Sequence, residues 1–188
     1  MFSRLIKIAV FTLLTYFLQA TVAYHLALWD IAPNLALAMI AIVSVALGRK
    51  YTFLVSLAIG YLLEIMMPML NYINLILYPV CAMLGALAFS DKSERKLEEE
   101  RTTDKRRKML HPHLRTPLCA MLSVLVFEAV HMLYIYLNGV AWDVGHITRA
   151  MINVIYTTVL SAVLQFPVRW WFGMYRKRDR QARQKKQE

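Results

Sequence analysis

Residues 117–138 read PLCAMLSVLVFEAVHMLYIYLN, and Glu128 is the only Asp, Glu, Lys or Arg in this stretch. At about 1.5 Å of rise per residue, a helix of this length crosses the roughly 30 Å hydrocarbon core of a bilayer. The whole chain is 59% hydrophobic and only 18% charged, whereas a soluble domain has about 25% charged residues. The sequence therefore predicts an all-α, polytopic membrane protein, and it argues against a soluble enzyme core, a disordered chain or a disulfide scaffold.

Six apolar stretches have the length and composition of transmembrane helices. They are residues 5–28, 31–47, 51–67, 71–89, 117–138 and 146–172. The chain accordingly divides into four units in sequence order. These are helices one to four (1–89), a charged loop (90–116), helices five and six (117–172) and a basic tail (173–188).

Two alternatives to this division remain open. Only residues 48–50 separate 31–47 from 51–67, so these two stretches could form one re-entrant hairpin. We prefer two separate spans because the two cations in that turn are costly in lipid. Within the first stretch, Arg4 and Lys7 precede an apolar run, as in a signal peptide, but this run continues to Leu28 and is longer than the core of such a peptide. We therefore predict a retained first helix.

The cations are distributed unevenly between the two sides of the predicted membrane. With the amino terminus inside, every lysine and arginine except Arg149 falls on the cytoplasmic side. This matches the positive-inside rule and predicts a multi-pass membrane protein with both termini cytoplasmic. The formal net charge of +10 is therefore a topology signal rather than a sign of nucleic-acid binding. We expect the loop and the tail to contact anionic lipid headgroups.

Polar residues inside the predicted spans are the strongest clues to function, because burying them in lipid is costly. Glu128 and His131 share a helix face at i,i+3, and we expect either a local hydrogen bond between them or a protonated Glu128 that faces a neighbouring helix. They form only half of a di-iron pattern, which needs a second Glu-x-x-His pair and further carboxylates. No common catalytic motif is present. We therefore expect no catalytic, metal or cofactor site.

The sixth predicted helix carries a polar residue at every fourth position. At 3.6 residues per turn such a ladder drifts by about 40° per step, so we expect it to contact two neighbouring helices rather than line one pore. Its members are Arg149, Asn153, Thr157, Ser161 and Gln165.

Pairs of small residues four apart mark faces on which helices can approach closely. The pairs are Ala23–Ala27, Ser56–Gly60 and Ala82–Ala86. Their spacing does not distinguish a contact within the chain from a contact with a partner.

The first half of the chain carries a set of motifs in a fixed order. A glutamine stands late in the first helix, a Pro-Asn pair opens the second, and a glycine precedes two basic residues in the following turn. A glycine then stands four residues before an acid near the end of the third helix, and the fourth contains Tyr and Gly. In these features the chain resembles the rod shape-determining protein MreD family, whose acid is usually Asp. The matching residues are Gln19, Pro33, Asn34, Gly48, Gly60, Glu64, Tyr78 and Gly85.

The resemblance implies a non-enzymatic component of the bacterial elongation machinery, located in the inner membrane. Such proteins bind the bitopic protein MreC and couple it to MreB filaments and the peptidoglycan synthases. Their fold is similar to the six-helix substrate-binding subunit of energy-coupling factor transporters. We expect the motif residues to shape helix ends and close packing, and the small-residue faces to dock the single helix of MreC.

A vitamin-binding transporter subunit is the alternative function. That reading requires a ligand pocket towards the outer side of the membrane. The residues expected to line it are Glu64, Asn71, Asn74 and Trp142.

Overall fold

The computed structural model describes residues 2–66, 72–89, 112–141 and 143–172. Regular secondary structure in these residues is helical, apart from one isolated bridge between Leu28 and Ile31. The expectation of an all-α chain is therefore confirmed. The basic tail and residues 90–111 of the predicted loop lie outside the described residues.

Seven α-helices and one π-helical segment make up the described structure. The first helix passes through the π-helical segment Leu18–Val22 into α2, so α1, this segment and α2 form one continuous rod. The α-helices are α1 (Phe2–Phe17), α2 (Ala23–His25), α3 (Leu35–Leu47), α4 (Arg49–Met66), α5 (Ile73–Phe89), α6 (Pro112–Leu137) and α7 (Val144–Trp171).

Three of these rods are long and apolar enough to cross a membrane. They are Leu5–His25, His113–Leu137 and Val144–Trp171. Helices α3 and α5 are apolar but shorter. Each of the six apolar stretches in the sequence is thus helical, and three have the length and composition of membrane spans.

Helix α3 forms the centre of the bundle. Every residue from Leu35 to Val45 is buried, and α3 packs against α1, α4, α5, α6 and α7. This follows from its sequence, LALAMIAIVSVAL, which is apolar around the whole circumference and so has no face suited to water. Because lipid is as apolar as these side chains, close packing rather than removal from water stabilises a bundle of this kind in a membrane.

The helix ends gather at two ends of the bundle. The Phe11 ring packs on Phe172 at 5.3 Å, and Arg49 Nη2 donates to the Leu87 carbonyl at 3.4 Å. The first half of α1 therefore lies beside the end of α7, and the start of α4 lies beside the end of α5, at what we name the Arg49 end. Helix α4 ends at the opposite end, named the Glu64 end, where Glu64 Oε1 accepts a hydrogen bond from Tyr72 N, just before α5, at 2.9 Å.

Several predicted boundaries are wrong by a few residues. The second helix was expected to begin on Pro33, but it begins at Leu35, because the Asn34 side chain caps it. The first ends at His25 rather than Leu28, and α5 begins at Ile73 rather than Asn71. Helix α6 begins at Pro112, so the last residues of the predicted charged loop are helical.

A single residue, Gly48, separates α3 from α4. Its φ is +86°, in the region that L side chains rarely adopt, and its N–H donates to the Ser44 carbonyl at 3.2 Å. A glycine at this position therefore allows the chain to leave one helix and enter the next without an intervening loop.

Candidate functional site

A chain of hydrogen bonds between polar side chains crosses the interior of the bundle. The Asn34 backbone N–H donates to Thr157 Oγ1 at 3.1 Å, and the Thr157 hydroxyl donates to Asn153 Oδ1 at 3.0 Å. The Asn153 amide then donates to the Glu128 carboxylate. We call these four residues the interior polar chain. It links the start of α3 to α7 and α6, and each step satisfies a polar group that would be costly to leave unpaired.

Tyr78 and Gln19 extend this network around the start of α3. The Tyr78 hydroxyl donates to Asn34 Oδ1 at 3.5 Å, and the same oxygen accepts from Leu37 N at 3.0 Å. Gln19 Oε1 accepts from Ala36 N at 2.9 Å. The side chains of Asn34 and Gln19 therefore satisfy two of the backbone N–H groups that have no partner within the helix itself.

The π-helical segment explains how Gln19 reaches α3. A π-turn inserts an extra residue and rotates the side chains that follow it, and such segments often occur at functional sites. Gln19 lies in the segment Leu18–Val22. Hydropathy does not reveal such a segment, so the sequence pattern predicted a regular helix here.

Glu64 caps α5 with both carboxylate oxygens. Oε1 accepts from Tyr72 N at 2.9 Å and Oε2 from Asn74 N at 3.1 Å, and the side chain is buried. A carboxylate at a helix start is also favoured by the helix dipole. The vitamin-pocket interpretation needs this carboxylate for a ligand, but the structure uses it inside the fold. Asn71 and Trp142, two other residues of that pocket, lie outside the described residues.

Glu128 faces a neighbouring helix, as the second of the two sequence alternatives expected. Its hydrogen-bond partner is Asn153 on α7, whereas His131 stacks on Phe127 with 12° between the ring planes. In the described part of the chain, no group of three or more His, Cys, Asp or Glu side chains is arranged to hold a metal ion.

The polar ladder of α7 contacts two neighbours, as its drift predicts. Asn153 bonds to α6 and Thr157 bonds to Asn34 at the start of α3. Gln165 Nε2 donates to the His113 carbonyl on α6 at 3.3 Å. Arg149, the first member of the ladder, is exposed.

The ladder extends one step further than the sequence analysis recognised. Arg169 follows Gln165 by four residues and is buried, and its Nη2 donates to Thr116 Oγ1 at 2.9 Å. Its Nη1 lies 3.5 Å from His113 Nδ1. In the sequence Arg169 was one of the cations expected on the cytoplasmic side, although its place in the four-residue repeat is a signal that could have identified it.

Small residues on α4 and α5 mark close contacts within the chain. A Cβ added to Gly60 would lie 2.8 Å from the Asn74 carbonyl oxygen, and one added to Gly85 would lie 3.1 Å from the Cys119 carbonyl oxygen. Ala82 and Ala86 are also buried. The expectation that these faces dock the helix of a partner is therefore wrong, because other helices of the same chain occupy them.

The Ala23–Ala27 pair does not form a helix face at all. Helix α2 ends at His25, so Ala27 lies beyond the helix, in the segment leading to the Leu28–Ile31 bridge. Ala23 itself is buried inside the bundle. The expectation that the Ala23–Ala27 pair docks a partner helix is therefore also wrong, because Ala27 lies outside the helix and Ala23 is already covered within the chain.

Replacing Thr157 by valine tests the interior polar chain. Valine keeps the shape but removes the hydroxyl, so the Asn34 N–H and Asn153 Oδ1 lose their partner. We expect Thr157→Val to lower the free energy of unfolding by about 1–3 kcal/mol, measured by thermal or denaturant melting in detergent.

Thr158→Val is the matched control for this experiment. The Thr158 hydroxyl bonds only to the Val154 carbonyl of its own helix, at 2.7 Å. We expect this variant to change the free energy of unfolding by less than about 0.5 kcal/mol. Equal melting of the two variants would show that the hydrogen bonds between helices contribute nothing.

No protein-family model, curated protein or solved structure matches this chain. The functional argument therefore starts from the chain's own residues, which combine helix caps, close backbone contacts and one interior polar chain.

Proposed function

We propose that this chain is a non-enzymatic integral membrane scaffold of the bacterial cell elongation machinery, similar to MreD. In this proposal it crosses the inner membrane six times, with a fold similar to the substrate-binding subunit of energy-coupling factor transporters. It binds MreC and supports, through MreB and the peptidoglycan synthases, cell-wall synthesis and cell shape. The motifs that suggest the family lie between Gln19 and Gly85.

The observation that carries the proposal is the way the motif residues are used. Gln19, Asn34 and Glu64 each accept hydrogen bonds from backbone N–H groups at helix starts. Gly60 and Gly85 stand where the backbone of a neighbouring helix lies close enough to meet an added Cβ. Residues engaged in this way hold helix starts and close helix contacts in place. That arrangement favours a binding scaffold over a catalyst.

The distribution of charge supports the proposed orientation. Lys7, Arg49, Arg115 and Arg169 all belong to helix ends that meet at the Arg49 end of the bundle, whereas Arg149 lies near the start of α7. By the positive-inside rule, the Arg49 end is then cytoplasmic, together with both termini. In that orientation the basic tail contacts anionic lipids, and the net charge gives no reason to invoke nucleic acid.

Co-purification with MreC tests the proposed function. The full chain carries a tag and is co-expressed with untagged MreC, and both are extracted in mild detergent. We expect MreC to be retained at a constant ratio, whereas an unrelated single-span membrane protein expressed at the same level is not. A chain that elutes as one folded species without MreC would contradict the proposal.

A further inference from the structure

The C-terminal half of α6 lacks the packing that its N-terminal half has. Cys119, Ala120 and Val124 are buried, but no residue from 125 to 137 is buried. The face that carries Ala120 and Val124 continues through Phe127, His131 and Tyr134 at spacings of three and four residues. All three of these side chains are only partly buried. Phe127 packs against the core, but this face of α6 is only partly covered along this half.

The side chains between α5 and α6 explain the opening. At Gly85 the two backbones nearly touch, because an added Cβ would lie 3.1 Å from the Cys119 carbonyl oxygen. Two turns further along, the rings of Tyr78 and Phe127 lie between the helices, with their centroids 5.3 Å apart. Gly85 thus allows α5 and α6 to approach closely, whereas the two rings at Tyr78 and Phe127 need more space between these helices towards the Glu64 end. We call the open face formed by Phe127, Glu128, His131 and Tyr134 the α6 groove.

The chemistry of the α6 groove favours a cation. The Glu128 carboxylate is partly exposed and accepts its hydrogen bond from the neutral amide of Asn153. Phe127, His131 and Tyr134 place aromatic rings on the same side of the helix. A carboxylate and the faces of aromatic rings both attract positive charge, and the attraction is stronger away from water. An ionisable residue at membrane depth ordinarily has a charged or polar partner.

The length of the groove favours a helix over a small molecule. Thirteen residues of α6 rise by about 20 Å, which is most of the roughly 30 Å thickness of the hydrocarbon core. We propose that the α6 groove docks one transmembrane helix of a partner protein, and that a Lys or Arg of this helix pairs with Glu128. The inference rests on the proposed function, since it identifies where the bitopic partner binds.

Photo-crosslinking from the groove tests this inference. Tyr134→p-benzoylphenylalanine places a crosslinker in the groove, and Leu133→p-benzoylphenylalanine places it on the exposed opposite side of α6. Both variants of the full chain are co-expressed with MreC and irradiated in intact membranes. We expect the crosslinker at position 134, and not that at 133, to form an adduct that mass spectrometry maps to the transmembrane helix of MreC.

Glu128→Gln then tests the role of the carboxylate. Glutamine keeps the size and can still accept a hydrogen bond from Asn153, so we expect a folded chain with unchanged elution. Loss of the buried ion pair should lower both the position-134 adduct and the retained MreC about tenfold or more. An unchanged adduct yield would overturn the pairing with Glu128.

The outcomes separate the groove from the proposed function. If MreC is retained but position 134 forms adducts only with lipid, or if positions 133 and 134 react equally, the groove inference is wrong and the proposed function stands. Adducts between two copies of this chain would overturn the proposed partner. They would show that the groove binds a second copy of the chain, in which the exposed Arg149 is a cation available to Glu128. If wild-type chain retains no MreC, both proposals fail.

Discussion

Gly60→Leu should leave no folded chain, and Gly60→Ala alone should lower the free energy of unfolding by about 1–3 kcal/mol. The added Cβ would lie 2.8 Å from the Asn74 carbonyl oxygen and 3.3 Å from Leu75 Cα. Both atoms belong to the backbone of α5, so no side-chain rotation relieves the clash. Helices α4 and α5, which pack more extensively on each other than on any other described element, would have to separate.

Thermal melting in detergent, followed by circular dichroism, measures the effect of Gly60→Ala. Gly145→Ala is the matched control, because Gly145 is exposed near the start of α7 and an added Cβ there meets only the Asp143 side chain, at 3.3 Å. Alanine favours a helix over glycine by up to about 1 kcal/mol, so the control should melt at or slightly above the wild-type temperature. A Gly60→Ala chain that melts as the control does would show that α4 and α5 are not in close contact at this residue.

The effect of this substitution also limits which variants can report on partner binding. A Gly60→Leu chain that fails to retain MreC would have lost its fold, so that loss would say nothing about an interface. Partner-binding variants therefore belong on exposed or partly exposed faces, such as the α6 groove at Tyr134, where the fold tolerates the change.

Segments with strong hydropathy were predictable, and their boundaries were less so. Each of the six apolar stretches is helical, because apolar composition over seventeen or more residues favours a helix strongly in any context that excludes water. The start of α3 was misplaced by two residues, since Pro33 was assigned to the first turn. Asn is among the best N-cap residues, and Asn34 takes that position by accepting from Leu37 N.

The interior polar chain was not predictable as a unit. Asn34, Glu128 and Asn153 were each recognised as significant, but no pattern along the chain indicates that they meet. Asn34 and Thr157 are 123 residues apart in sequence. Local periodicity identifies which face of a helix is polar, whereas the choice of partner depends on how several helices pack together.

Glu64→Leu should lower the free energy of unfolding by about 2–4 kcal/mol, because it removes two charge-assisted hydrogen bonds at once. Tyr72 N and Asn74 N both lie at the start of α5 and both donate to this carboxylate. In the variant these N–H groups face an apolar side chain, in a position that the fold buries. Denaturant or thermal melting of the purified chain measures the loss.

Glu64→Gln distinguishes a structural cap from a ligand site. Glutamine retains one acceptor oxygen, so only one of the two N–H groups loses its partner and we expect a loss of roughly half that of leucine. If the Glu64 carboxylate instead bound a cationic vitamin, Glu64→Gln would behave differently. The neutral glutamine amide would then leave the stability of the fold unchanged, and the variant would lose only ligand binding. Wild-type melting of both Glu64 variants would contradict the capping role, and it would return Glu64 to the residues available for a ligand. Graded destabilisation without any ligand present would instead place Glu64 among the residues that hold α4 and α5 together.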